Sequence, residues 1–312
     1  MAFPVAPGAA AYSGNFIPEI WASKLIVNFY DATVLAAIAN TDYEGEIKNM
    51  GDKVQIRTTP DLTIRSYEKG MTLQVERPDK PKLTLNIDQG EYFAAVEDDV
   101  DKIQADIDLL NTWSRDASEK MKVKIDSNVL PGFIADVSSS NQGATAGRLS
   151  ASYSLGTSGS PVTLTRANVL DYIVDVGTVL DEANSPEQDR WMVIPAWMAG
   201  MIKKSDLKDA SLTGDSVTPL RNGRLGMIDR FTLYVSHNLY KSGSTYGIVA
   251  GHKMGLTFAS QMTQMETIRS ETTFGTIVRG LQVYGYKVVK PEALALLADS
   301  MGAAELFTTR TG

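Results

Sequence analysis

Two hydrophobic periods meet near residue 96, and few folds accommodate the junction. Between Glu46 and Ala95 apolar and polar residues alternate: Val54 and Ile56, Leu62 and Ile64, Leu73 and Val75, then Leu83, Leu85 and Ile87. A period of two marks a half-buried strand. From Glu97 onward the apolar positions are Val100, Ile103, Ile107, Leu110, Trp113, Ala117, Met121 and Ile125. Spaced three or four apart, they form one face of a helix. Thr59-Pro60-Asp61, Glu68-Lys69-Gly70 and Arg77-Pro78-Asp79-Lys80-Pro81 are turn chemistry that breaks the first block into a long hairpin. One face of that hairpin is too polar for a core, and a lone hairpin is marginal in water. It is expected to lie against a partner surface; an ordinary meander within one domain is the alternative.

The helix that follows is unusually long. Glu97, Asp98, Asp99 and Asp101 suit its start, and Lys120, Lys122 and Lys124 suit its other end, because carboxylates favour free N–H groups and ammonium groups favour free carbonyls. Pro131-Gly132 is the stop. About 33 residues at ~1.5 Å each make a rod on the order of 50 Å. A metal site at residues 97–101 is the weaker reading of the same acids.

Residues 1–15 are small, uncharged and spaced by Pro and Gly, so they read as an extended arm and not as a secretion signal. Residues 16–39 read as one or two amphipathic helices. Residues 135–162, rich in Ser, Gly, Ala and Thr, read as a surface insertion. From Thr163 the pattern is mixed α/β. A helix carrying Val169, Leu170, Ile173, Val176 and Leu180 is started by Thr165 and ended by Asn184-Ser185-Pro186. A buried strand at 190–195, a helix at 196–204, a polar loop at 203–222 and strands at 230–236 and 245–250 follow. A long strand at 273–289 and a closing segment at 292–297 complete the pattern.

Chemistry is scarce in this chain. Its 312 residues include no cysteine and two histidines, His237 and His252, which removes disulfides, thiol nucleophiles and zinc ribbons. The histidine spacing fits no zinc motif, and no G-x-S-x-G elbow occurs. Asn222-Gly223-Arg224-Leu225-Gly226 lacks the Gly-Lys-Ser/Thr of a phosphate loop, and Asp206, Asp209 and Asp215 fit no calcium loop. Gly251-His252-Lys253 reads as a strand end with exposed polar side chains, and Met262 and Met265 as packing residues. No catalytic residue, cofactor or metal is expected. A net charge of −7 argues against sequence-independent nucleic-acid binding. No apolar run of the ~18 residues needed to span a membrane occurs.

The element order, with Asp189–Trp197, Gly223–Ser236 and Arg279–Pro291 as its local signatures, resembles the major capsid protein of tailed bacteriophages, the Johnson-type capsid fold. The resemblance implies an α+β phage capsid fold. Its parts would be an N-terminal arm and first helices at 1–42, an extended β-hairpin loop at 43–95 and the spine helix of a peripheral domain at 96–134. An insertion at 135–162, an axial domain at 163–265 and the return strand of the peripheral domain with the C-terminal segment at 266–312 would complete it. It further implies hexamers and pentamers of an icosahedral head that encloses double-stranded DNA without sequence-specific binding. The chain would be made in the host bacterial cytoplasm and end in the virion, away from membranes. Residues 1–15 lead almost directly into the first helix, which implies a separate scaffolding protein or maturation without cleavage. A portal and a decoration protein are further expected partners. Intersubunit contacts are expected at Arg57, Arg65, Glu68, Lys69, Glu76 and Arg77 on the hairpin. Some members of the family cross-link through a lysine of this loop; Lys69, beside Gly70, is the candidate here, and with no identifiable Asn or Glu to serve it no cross-link is inferred. The alternatives are an encapsulin-like nanocompartment shell, a tail or connector subunit and an α/β hydrolase.

Overall fold

Strand pairing sorts the chain into three sheets in the computed structural model, which describes residues 33–42, 53–57, 62–77, 82–98, 109–205, 226–270 and 274–301. The first is a two-stranded ribbon of β1 (Lys53–Arg57) and β2 (Lys82–Asn86). The second is an antiparallel sheet in which β11 (Gly275–Val288) lies between β3 (Gln89–Asp98) and β10 (Leu256–Arg269). The third and largest runs β4 (Val162–Leu164), β12 (Leu294–Met301), β9 (Thr245–His252), β5 (Arg190–Ile194), β7 (Phe231–Val235) and β6 (Met227–Ile228), with β8 (Lys241–Ser242) beside β9. Helices α1 (Leu35–Ile38), α2 (Leu109–Gly132), α3 (Val169–Glu182) and α4 (Ala196–Lys204) complete the described elements. The class is α+β, as the pattern implies.

Two hydrophobic cores sit on opposite faces of the largest sheet. One face is packed by Met121, Ile125, Val129, Leu130 and Phe133 at the end of the long helix α2, which also meet Leu256, Phe258, Tyr284 and Val288 of the three-stranded sheet. The other face is covered by α3 and α4 through Ile173, Val176, Leu180, Met198 and Ile202. Strand β5 therefore splits its side chains, Trp191 and Val193 into the first core and Met192 and Ile194 into the second. A strand covered on both faces has no polar side, which is why its residues form a continuous apolar run.

The buried arginine of this frame is paired. Arg190 is fully buried, donating to the carbonyl oxygens of Pro186 at 2.7 Å and Ser185 at 2.8 Å, and meeting Asp181 at 2.7 Å. Burial opposes the Asp181 charge, but hydrogen bonds from Arg230 and Arg190 outweigh it and hold this carboxyl below its usual range. Asn184, at φ +56°, closes α3 in the left-handed conformation, and Ser185 N–H donates back to the Leu180 carbonyl.

Several elements depart from expectation. Glu97 and Asp98 belong to β3, where Asp98 pairs with Gly275 and Glu97 is buried; the long partner strand β11 overrides the helix-start signal. Asp99 and Asp101 lie outside the described residues, as do 1–32 and the acids Asp206, Asp209 and Asp215. Strand β10 lies where no strand is expected. Its pairing shifts register between Met262 and Gln264, so the bulge breaks the alternation that would have marked it. Thr165 contributes its carbonyl to the start of α3, while Asn168 holds the N-cap position.

Residues 135–162 are not a loose insertion. Val137 enters the first core, while Ala146 and Leu155 enter the second. Asn141 is fully buried and donates to the carbonyls of Glu292 at 2.8 Å and Leu294 at 2.9 Å. Glu182 accepts from the Leu149 and Ser150 N–H groups at 2.9 and 3.1 Å. The segment is a strap between the cores, built from small residues because its ties are polar.

The first described helix depends on one carboxylate. Buried Asp126 of α2 accepts Val34 N–H at 2.7 Å and Leu35 N–H at 3.3 Å at the start of α1. Burial pushes its pKa up, and those two N–H groups pull it down. Replacing it by Ala leaves buried donors unpaired, so Asp126→Ala is expected to cost about 2 kcal/mol, read as a lower urea midpoint. Asp126→Asn, which keeps an acceptor, should cost less.

Candidate functional site

The alternation that buries Val54, Ile56, Leu85 and Ile87 at the base of the hairpin leaves the same kind of residue in solvent farther along it. At the base these four side chains pack on Ala259 and Val283 of the three-stranded sheet. A Cβ on Gly285, the cross-strand partner of Ala259, would overlap the Asn86 carbonyl oxygen. The ribbon thus crosses the sheet in backbone contact, and only glycine permits the approach.

The register of the base accounts for the contacts found nearer the tip. Strand β1 pairs with β2 from Lys53 opposite Asn86 to Arg57 opposite Lys82. Counted onward, the same register sets Thr63 opposite Glu76, Arg65 opposite Gln74 and Glu68 opposite Met71. The observed contacts fall at those places. Thr63 N–H donates to Glu76 Oε1 at 2.8 Å, Arg65 reaches Gln74 Oε1, and Met71 N–H donates to the Glu68 carbonyl at 3.1 Å. Gly70, at φ +91°, takes the third position of this turn, where a type II turn requires a positive φ.

Alternation then sorts the arms into two faces. Thr63, Arg65, Tyr67, Thr72, Gln74 and Glu76 share one, and Arg65 pairs with Glu76 at 3.5 Å there. Leu62, Ile64, Leu73 and Val75 share the other with Met71. Ile64 is 93% exposed and Val75 95%, so at these two positions the apolar face is left open by the described residues. A second exposed apolar row lies on edge strand β3, where Tyr92 and Val96 stand opposite Leu281 and Ile277 of β11, with Phe274 exposed nearby.

The six residues expected at intersubunit contacts separate accordingly. Arg65 and Glu76 partner each other across the arms. Glu68 and Lys69 belong to the turn and are exposed, as is Arg77, whose register partner is Leu62. Arg57 lies in β1 opposite Lys82. The apolar face between them is what a reading of the charged residues missed. Its signal was present in the alternation, because Ile64 and Val75 fall opposite each other once Lys69-Gly70 is the turn.

Elsewhere, reactive groups are held in structural roles. His252, expected to be exposed, is buried opposite Arg190. Its Nδ1 accepts Met254 N–H at 3.2 Å, and burial lowers its pKa. Among the described residues no group of three or more His, Asp or Glu side chains is placed to hold a metal, and no helix is long and apolar enough to cross a membrane.

A family model described as phage capsid protein matches residues 82–297. Among solved structures, a chain of Mycobacterium phage Che8 is 27% identical, with 92% of this chain and 98% of that chain covered at a TM-score of 0.73. The capsid of the native GTA particle is 16% identical, with 92% and 97% covered at 0.68. Gordonia phage Cozz is 12% identical, with 97% and 98% covered at 0.63. The last two likenesses concern fold alone. No curated protein matches.

Two substitutions separate the root of the hairpin from its charge pair. Gly285→Val should destabilise the fold by about 1–3 kcal/mol through overpacking, lowering the melting temperature. Glu76→Ala, which breaks a solvent-exposed pair, should cost about 0–1 kcal/mol and leave that temperature nearly unchanged.

Proposed function

Because the chain belongs to the phage capsid protein family and is a structural major capsid protein, we propose that its hairpin joins neighbouring copies through its apolar face. The carrying observation is the row of Leu62, Ile64, Leu73 and Val75, all exposed in the single chain, on arms that are joined through Thr63 to Glu76 and Arg65 to Gln74. Magnitudes favour this row over the charged residues. Full burial of one such side chain is worth about 1.5–3 kcal/mol, against about 0–1 kcal/mol for an exposed ion pair. Arg65 and Glu76, already engaged with each other, then stiffen the arms. Arg57, Glu68, Lys69 and Arg77 remain candidate contacts at the margin of the apolar row.

The chain builds a capsid shell and is a component of the virion. In the finer reading, that shell is an icosahedral head of hexamers and pentamers around the double-stranded DNA of a tailed phage, assembled in the host bacterial cytoplasm. The net charge of −7 suits a wall that encloses DNA without adhering to it. A separate scaffolding protein, a portal and a decoration protein belong to the same reading. So does the division into arm, hairpin loop, spine helix, axial domain and return strand. The matches do not favour a nanocompartment shell or an α/β hydrolase.

The test pairs electron microscopy with light scattering on the purified chain, with its scaffolding protein supplied. Wild type and Glu76→Ala should form closed shells. The double variant Ile64→Asp, Val75→Asp should remain as folded subunits with unchanged circular dichroism. Shells of normal yield from the double variant would remove the apolar face from the interface, and a wild-type chain that never forms shells would overturn the assembly reading itself.

A further inference from the structure

Among the described residues, Asp299 is the one buried carboxyl whose two oxygens both lack a hydrogen-bond partner. It lies in β12 on the face that carries Ala295 and Leu297 into the second core. Across one edge of β12 stands Tyr246 of β9, in a pairing seven residues long. Across the other stands Val162 of β4, an edge strand held by three residue pairs. The strap just before β4 is tied to β12 by Ala298 N–H donating to the Leu155 carbonyl at 2.9 Å.

Few ionisable groups face this carboxyl. Strand β4 offers none. Strand β9 offers the Tyr246 phenol, with the Lys241 ammonium 5.1 Å from its ring centre. Helix α3 turns Val169, Ile173, Val176 and Leu180 inward, and Tyr172 packs partly on the same core. Helix α4 carries Lys203 and Lys204 in its last turn and brings Trp197 against Tyr246. The carboxyl is governed by burial, which pushes its pKa up to about 8, against a smaller opposing effect of its own backbone N–H.

We propose that Asp299 is a proton-held latch for β4 and the strap leading into it. While the carboxyl is neutral, the edge strand stays seated on β12. Once it is charged, residues 155–164 lift and water reaches the carboxylate. Lifting this edge strand breaks three residue pairs and withdraws Leu155 and Leu164 from the second core, whereas opening β12 from β9 would break seven pairs and both cores with them. The value in the seated state lies above the ordinary aspartate value. Seating is therefore complete in acid and weakens as the pH rises, by up to about tenfold in the opening equilibrium per pH unit, levelling off near pH 8. The strap joins the two cores, so the latch sets how firmly they are connected.

Hydrogen exchange of the full chain, corrected for intrinsic rates, tests this between pH 5.5 and 7.5. Protection of the amides at 155–164 should fall by about a hundredfold over that range, while those of β5 do not follow. In Asp299→Asn the same amides should be indifferent to pH. Constant protection in wild type, an equal fall in the Asn variant, or a fall shared by β5 would overturn the latch. Should the variant not fold, carboxyl carbon shifts of the wild-type chain decide. An aspartate titrating above pH 7 supports the latch, and titration of every aspartate below pH 5 removes it.

Discussion

The apolar stripe from Met121 to Phe133 is the contact on which the two larger sheets converge. Its residues touch Phe258 and Tyr284 on one side and Trp191 and Val249 on the other, within a single core. Everything distal inherits its position from that contact. The three-stranded sheet is set against the helix, and the hairpin base is set against that sheet at Ala259, Val283 and Gly285. Asp126, on the same stretch of helix, fixes the backbone at Val34 and Leu35. One helix face thus orients parts that are remote from each other along the chain.

From this base projects a hairpin in which Arg65 and Glu76 are paired with each other and the apolar row is exposed. Most coat-forming energy of such an element would come from removing Ile64 and Val75 from water, while Arg65 and Glu76 keep the arms aligned.

Elements with strong local periods were legible in advance. The turn at Glu68-Lys69-Gly70, helix α4, strand β5 and the core of strand β11 fall where pattern and turn chemistry put them. Elements governed by distant partners were not. Strand β10 is broken in pattern by its bulge, and Glu97 reads as a helix start until β11 claims it as strand. The strap at 135–162 looks like a solvated loop because its ties are polar, the Asn141 side-chain amide reaching the Glu292 and Leu294 carbonyls and the Leu149 and Ser150 N–H groups reaching Glu182. His252 reads as exposed because nothing near it in sequence reveals that β5 lies alongside.

By itself, the amino-acid order determined which side chains share a face. Val54 with Ile56, Ile64 with Val75, and Met121 with Ile125 follow from periods of two and 3.6 and from the place of one glycine turn. Only the tertiary structure decided which of those faces is covered. Val54 and Ile56 are buried because Val283 and Gly285 pass beneath them, and Ile64 and Val75 are exposed because no described residue does. The reason is physical: a local period fixes direction, whereas burial requires a second surface, and for Val54 and Ile56 that surface comes from residues far along the chain.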